Sequence, residues 1–346
     1  MHYLDRLFGP YRNLFLVYLV LVAAYFGLAL AISNRSYDEI LDIESFIAIP
    51  GLAIIPVLAF AGWVAVLAVM RQHERPTRSI IRLLYRNRHW MIRSTIILVL
   101  ISSIAGGAFM AVKVAIPRIV PYFADPYFAA IDRTLFFGRN PWEATHNLLG
   151  AAATRVVDVS YSLWFGSLTI VVLWTSFDRD RKFQMQASFA YLLCWFLLGN
   201  VLAIMLSSVG PIFYDQFYGG SAFAPLLDKL DAAPRAMFIR QYLLDNYGDE
   251  VLGSGISAAP SLHVSVTQLF FLMCLQRFGN RWPTWFAGFY VFVILFGSVH
   301  LGWHYLTDGL ISLILTPLIW SACGWLVDRV SRRSTTERAV QSTVLT

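Results

Sequence analysis

Charge is scarce in this sequence. Of its 346 residues only 14% are Asp, Glu, Lys or Arg, while 58% are hydrophobic. An ordinary soluble domain carries about 25% charged and about 45–50% apolar residues. With so little to keep a surface wet, the chain is neither a soluble enzyme nor a disordered segment. Cysteine is scarcer still: Cys194, Cys274 and Cys323 lie well apart inside apolar runs, so no disulfide framework is indicated and a disulfide-rich secreted module is excluded. Internal repeats and low-complexity tracts are also missing. What the chain has in plenty is aromatic rings, with 11 Trp, 16 Tyr and 26 Phe. Amphipathic rings settle where acyl chains meet headgroups, so this abundance belongs with a membrane protein.

Crossing roughly 30 Å of hydrocarbon takes about 20 mostly apolar residues at about 1.5 Å each. Eight stretches meet that need, at approximately 14–32, 46–70, 92–112, 156–175, 184–209, 259–276, 283–299 and 302–327. The expected fold class is all-α, a polytopic membrane helix bundle of about eight transmembrane helices. Basic residues alternate by connection. Arg6 and Arg12 precede the first span, and Arg71, Arg75, Arg78, Arg82, Arg86, Arg88 and Arg93 crowd the second connection. Arg179, Arg181 and Lys182 occupy the fourth, Arg277 and Arg281 the sixth, and Arg329, Arg332, Arg333 and Arg338 follow the last span. The first connection is acidic (Asp38, Glu39, Asp42, Glu44), and so is the fifth (Asp228, Asp231, Asp245, Asp249, Glu250). Short basic loops stay cytoplasmic, so both termini are expected inside. The net charge of +6 then reads as topology and as attraction to anionic lipid at the inner face. No nucleic-acid partner is expected, because no basic groove interleaved with aromatics is present. Ala29-Leu30-Ala31 resembles a signal-peptide cleavage site, but the run before it is longer than a usual signal core and the charge alternation needs it as a crossing.

The expected organisation is an N-terminal three-span region over 1–112 with a basic cytoplasmic loop, a helix bundle over 113–330, and a mobile polar tail over 331–346. The bundle includes two long external loops, near 113–155 and 210–258. The first of these gathers Tyr122, Phe123, Tyr127, Phe136, Phe137 and Trp142 around Pro117, Pro121, Pro126 and Pro141, which predicts a short interfacial helix or re-entrant element over the outer membrane surface.

Ionisable side chains at membrane depth are costly, so each is a functional candidate. His263, His304 and Asp308 stand out, and the topology read from charge alone puts all three at the external end of three consecutive spans. His304 and Asp308 are four residues apart in a stretch read as helical, so their side chains share a face. A carboxylate behind a histidine fixes its tautomer, leaves the other ring nitrogen as a lone-pair donor and stabilises the cation formed after attack. A second histidine across the site can protonate a departing oxygen.

Pro260-Ser261-Leu262-His263, followed by Gly297-Ser298-Val299-His300-Leu301-Gly302-Trp303-His304-Tyr305-Leu306-Thr307-Asp308, resembles the type 2 phosphatidic acid phosphatase superfamily. Its second signature reads Pro-Ser-Gly-His, and its third reads Ser-Arg, five residues, His, three residues, Asp. The resemblance implies His304 as nucleophile on phosphorus, Asp308 as its orienter and His263 as proton donor, with a phosphohistidine intermediate and neither metal nor cofactor. Departures accompany the match. Leu262 stands in place of the family's glycine, Gly297-Ser298 in place of its Ser-Arg pair, and the first signature is only echoed by Lys113, Pro117, Arg118 and Pro121. The usual phosphate-clamping arginine is therefore absent, and a phosphodiester, with one negative charge rather than two, needs it less.

These departures look like the inositol-phosphorylceramide synthase branch of the superfamily, as does Ser207-Ser208-Val209-Gly210-Pro211-Ile212-Phe213-Tyr214. The stretch from Lys113 through Asp132-Arg133 to Gly138 and Pro141-Trp142 is similar too. The resemblance implies an integral-membrane phosphotransferase that moves a phosphorylated headgroup between lipids at the non-cytoplasmic face, toward periplasm, cell exterior or organelle lumen. Its partners would be a membrane phospholipid donor and a lipid or alcohol acceptor; the alternative is a lipid phosphate phosphatase of the same superfamily. Candidate substrate contacts are the Ser261 hydroxyl, the amides around Leu262 and His263 at a helix start, and Lys113, Arg118, Arg235 and Arg240 from the long loops. His300, one turn before His304, and Tyr214 complete the set.

Two other readings remain open from the residues alone. His300 and His304 are spaced like a zinc-binding pair, with Asp308 as a third ligand, although Leu301 occupies the place of a metallohydrolase's glutamate. Histidines lining a transport path are the second, against which stands the lack of a repeat.

Overall fold

The computed structural model describes residues 2–41, 62–64, 67, 71, 76–248, 251 and 253–344, with side chains described through Arg332. Among these residues there are helices and no strand. α1 is Arg12–Ser33. α2 (Pro76–Leu98) continues through a wide π-helical turn, Val99–Ile104, into α3 (Ala105–Ile119). The external elements α4 (Asp125–Leu135) and α5 (Pro141–Leu148) follow, then α6 (Ala151–Ser162), α7 (Trp164–Phe177) and α8 (Arg181–Leu193). α9 (Pro234–Asp245) lies in the second long loop, and α10 (Leu262–Phe278), α11 (Trp282–His300) and α12 (Leu306–Val344) end the chain.

Among the described residues, six helical runs are long and apolar enough to cross a membrane: Tyr3–Ser33, Thr77–Ile119, Ala151–Phe177, Arg181–Met205, Trp282–His300 and Leu306–Arg332. α10, with 17 residues, is shorter, yet its rise is still about 26 Å, and it packs against both α11 and α12. The span expected at 46–70 lies outside the described residues, as do Asp42, Glu44, Arg75, Asp249 and Glu250.

The distribution of polarity is that of a molecule solvated by lipid. On α11, Trp285, Phe286, Phe289 and Phe292 are all more than half exposed along one stripe, a surface that lipid tolerates and water does not. Gln184, Gln186, Asn200, Ser265, Thr267 and Thr316 are buried instead. They bond across helices: Thr316 Oγ1 donates to Ser265 Oγ at 2.8 Å, Gln276 Nε2 to Gln186 Oε1 at 3.0 Å, and Tyr25 to Asn200. In lipid, where apolar contact alone does not drive association, such bonds average about 0.6 kcal/mol each.

α10 provides a ruler for the bundle. His263 is in its first turn and Arg277 in its last, about 21 Å apart along the axis. Arg277 pairs with Asp178, and nearby Lys182 meets Asp328 at 2.6 Å. At the other end lies the predicted interfacial helix, α4. One face of it, Tyr127, Ile131 and Leu135, is exposed, and the opposite face, Asp125, Phe128, Ala129 and Asp132, is buried.

Candidate active site

α11 stops at His300. Gly302 then takes φ +70°, which a residue without Cβ adopts at least cost, and the chain reverses through Trp303–Tyr305 into α12. His304 therefore sits in a turn, not on the α11 helix, which corrects the helical reading of 300–308. His300 and His304 do not share a helical face, and His304 meets Asp308 across a helix start. Opposite, the Ser261 hydroxyl accepts from Val264 N at 3.4 Å and caps α10. Ser261 N donates to Asp308 O at 3.3 Å, fastening the start of α10 to the start of α12.

The two catalytic candidates meet directly. His263 Nδ1 lies 3.2 Å from His304 Nε2, with the rings edge to face. His304 Nδ1 lies 2.7 Å from the Ala258 carbonyl oxygen. A carbonyl can only accept, so Nδ1 carries the proton and Nε2 holds the lone pair. His263 must then donate from Nδ1. Its ring is held between Tyr161, with centroids 5.0 Å apart, and Trp164, at 4.4 Å, and its carbonyl accepts from Trp164 Nε1 at 3.0 Å.

Asp308 divides its carboxylate. Oδ2 accepts from Tyr305 N at 3.0 Å, as a cap of α12, and lies 3.6 Å from His304 Nδ1. Oδ1 is buried with no hydrogen-bond partner. The Ala258 carbonyl thus sets the tautomer, and Asp308 places a carboxyl group beside the ring.

The pair faces a cavity of about 400 Å³. Phe109, Trp164, Trp195, Leu168 and Trp303 give it apolar walls. Among the described residues, Lys113 is the single Lys or Arg on its lining. The ammonium lies 5.8 Å from the Phe109 ring centroid, and no carboxylate among the described residues pairs with it. The single carboxylate on the lining among the described residues, Asp158, accepts from Arg235 N at 3.0 Å and Ala236 N at 2.9 Å, capping α9.

Leu262, His263, His304 and Lys113 therefore come together, while other candidates do not reach the cavity lining. Ser261 is buried as a cap. Arg118 is exposed and donates to Ser33 O at 3.3 Å. Arg240 donates to Ile212 O at 2.9 Å and lies over Phe213, which does line the cavity. Burial among apolar atoms lowers the pKa of Arg240. Arg235 reaches toward Asp158 at 4.0 Å. Tyr214 stacks on Tyr218. His300 is fully buried: its ring nitrogens lie 3.0 Å from Thr154 Oγ1 and 3.0 Å from Thr145 Oγ1, and its face stacks on His146 at 3.8 Å. No group of three His, Cys, Asp or Glu among the described residues is arranged to hold a metal ion.

Two carboxylates that sequence reasoning did not single out hold this site from α4. Asp125 accepts from Val209 N at 2.9 Å, Gly210 N at 2.8 Å, Tyr218 OH at 3.0 Å and Tyr305 OH at 3.1 Å. Asp132 accepts from Leu306 N at 2.7 Å, Thr307 N at 3.0 Å and Thr307 Oγ1 at 2.6 Å. They are seven residues apart, two turns on one face, and together grip the turn that carries His304 from both flanks. That seven-residue spacing of acids, in a loop crowded with aromatics, was the available signal. Gly210, at φ +90°, completes the packing: a Cβ there would lie 2.6 Å from the Trp303 carbonyl oxygen.

Comparison with curated proteins and with solved structures returned no significant match. The sequence profile of the PAP2 superfamily matches residues 126–322. That segment is more than half of the chain and runs from α4, with Asp132, through His263, His304 and Asp308 into α12. An all-α membrane bundle carrying this match is an enzyme acting on phosphate esters of lipids, and the chain belongs to the PAP2 superfamily.

Proposed function

We propose that the protein transfers a phosphorylated headgroup from a membrane phospholipid to a hydroxyl-bearing acceptor through a phosphohistidine on His304, in the manner of inositol-phosphorylceramide synthases. The observation that carries this reading is the His304 Nε2 lone pair held 3.2 Å from His263 Nδ1, with Nδ1 of His304 committed to Ala258. In the first step Nε2 attacks phosphorus, the bond from phosphorus to the lipid-backbone oxygen breaks, and His263, entering as the imidazolium, gives its Nδ1 proton to that oxygen and becomes neutral. In the second, His263 Nδ1 takes the proton of the acceptor hydroxyl as its oxygen attacks phosphorus and the P–N bond breaks, restoring His304. The direct contact between the rings is exchanged on substrate entry for one contact to phosphorus and one to the departing oxygen. Splitting one displacement into two is the general advantage of covalent catalysis.

Charge supports a diester donor. One ammonium, Lys113, faces the reacting pair, matching one negative charge, and apolar walls suit the adjoining lipid. On this reading the site opens to the non-cytoplasmic side and both chain ends lie inside, as the alternation of basic loops implies. The test is incubation of purified protein with a panel of phospholipids, with and without alcohol acceptors, and mass spectrometry of the products. The expected product is the acceptor carrying the donor's headgroup phosphate. Inorganic phosphate as the main product would instead establish the phosphatase activity of the same superfamily.

A further inference from the structure

A second cleft, of about 500 Å³, is formed among others by Tyr11, Trp90, Arg93, Arg179, Arg181 and Lys182. Arg93 precedes Lys113 by twenty residues in one helical run, which amounts to roughly 30 Å, the thickness of the hydrocarbon. The cleft thus belongs to the membrane face opposite His263 and His304.

Its charge is unbalanced. Among the described residues Asp180 is the one carboxylate on its lining, and that group accepts from Lys182 N at 2.9 Å to cap α8 while lying 3.7 Å from Arg277. Asp178, close by, is engaged by Arg277 and by Trp174 Nε1. Lys182 is paired with Asp328, and Arg181 donates to Arg6 O at 2.9 Å. Arg179 lies over the Trp90 ring at 4.9 Å. Arg93 is the unusual member. It is 3% exposed, its terminal nitrogens reach only the carbonyls of Leu7, Asp178 and Arg179, and its Nε has no partner. The acids nearest this buried guanidinium, Asp178 and Asp180, are shared with Arg277, so four cations of the cleft divide little negative charge and an arriving anion would add to it. Basic loops that only set topology are solvated and need no such burial.

We propose that this cleft is a phosphate-binding site on the face opposite the catalytic histidines. Cations arrayed in an open cleft at the membrane surface suit tetrahedral oxyanions, whether carried by a lipid headgroup or free in solution.

The test uses the full-length protein reconstituted in phosphatidylcholine vesicles, in phosphatidylcholine with one part in five phosphatidic acid, and in phosphatidylcholine with added inorganic phosphate. Thermal unfolding and native mass spectrometry of retained ligand are the readouts. Phosphatidic acid should raise the Tm of the wild type and remain bound, and Arg179→Gln/Arg181→Gln should weaken that binding by at least about tenfold at unchanged Tm in phosphatidylcholine alone. If the double variant does not fold, Arg179→Gln alone, at an exposed position, should weaken binding by about fivefold. A rise in Tm with inorganic phosphate as well assigns the site to free phosphate, and a rise with phosphatidic acid alone assigns it to a headgroup. Equal affinity in variant and wild type, or no response to either ligand, overturns the proposal. Since the variants lie a membrane thickness from His304, turnover of a soluble short-chain substrate should not change in them, which separates this site from the proposed reaction.

Discussion

Two acceptors stand near the Nδ1 proton of His304, the Ala258 carbonyl at 2.7 Å and the Asp308 carboxylate at 3.6 Å. Because the nearer one is main chain, Asp308→Asn should leave the tautomer intact and slow only the steps in which the imidazole carries positive charge. The expected loss in kcat is about ten- to a hundredfold, less than the roughly 10⁴-fold found where a carboxylate alone sets the tautomer. His304→Ala, by contrast, should remove turnover altogether, and His263→Ala should cost about 10²–10⁴-fold. Single-turnover assays on a labelled donor, with trapping of the phosphoenzyme, check all three. Lys113→Gln should lower kcat/KM by about ten- to a hundredfold through loss of a charge-assisted contact, with Lys113→Arg recovering part of it; comparable steady-state constants in wild type and Lys113→Gln would remove Lys113 from substrate binding. The histidines and Asp308 were legible in the sequence because charge at membrane depth has few innocent explanations. The Ala258 acceptor was not, since a carbonyl is common to every residue and only the fold says where it points.

At the scale of elements, α4 fastens the His304 turn. Asp132→Ala removes the acceptor for two amides at the start of α12, with an expected cost of about 1–2 kcal/mol. Lowered kcat at nearly constant KM, partly recovered in Asp132→Asn, would mark Asp132 as a positioning residue; equal falls in both constants would reduce it to a structural cap. The aromatics and prolines of the loop pointed to a short helix or re-entrant element where α4 lies but not to its grip, because the partners at 209–210, 218 and 305–307 are remote in the chain. The pair of histidines spaced four apart misled for a local reason, the left-handed Gly302 that ends α11 between them. His300 instead joins α11 to α5 through Thr145 and His146. Burial lowers the pKa of His146 from its ordinary 6.5, and the Nε2 bond to His300 O opposes this only in part. The folded state therefore resists taking up that proton. Its contribution to stability is present above pH 6.5 and is lost as the pH falls below it. Tm measured from pH 7.5 to 5 should fall more steeply for wild type than for His146→Gln.

For the molecule as a whole, apolar outside and polar within, six of the eight expected spans were legible from composition and length alone, and their edges less so because α2 and α3 run on through a π-helical turn. Orientation is open to direct test. Phe137, 98% exposed beside α4, and Arg179, on the opposite face, can be replaced singly by cysteine, the native cysteines being buried. A membrane-impermeant maleimide should label Phe137→Cys in intact cells and Arg179→Cys only after the membrane is opened; the reverse pattern would put the histidines on the cytoplasmic side. The exposed stripe of α4, Tyr127, Ile131 and Leu135, lies directly behind the carboxylates that hold the His304 turn. Whatever amphiphile bathes that stripe becomes part of the enzyme's scaffold. A strongly curved micelle and a flat bilayer present it with different support, so rates measured after extraction describe the protein together with its detergent.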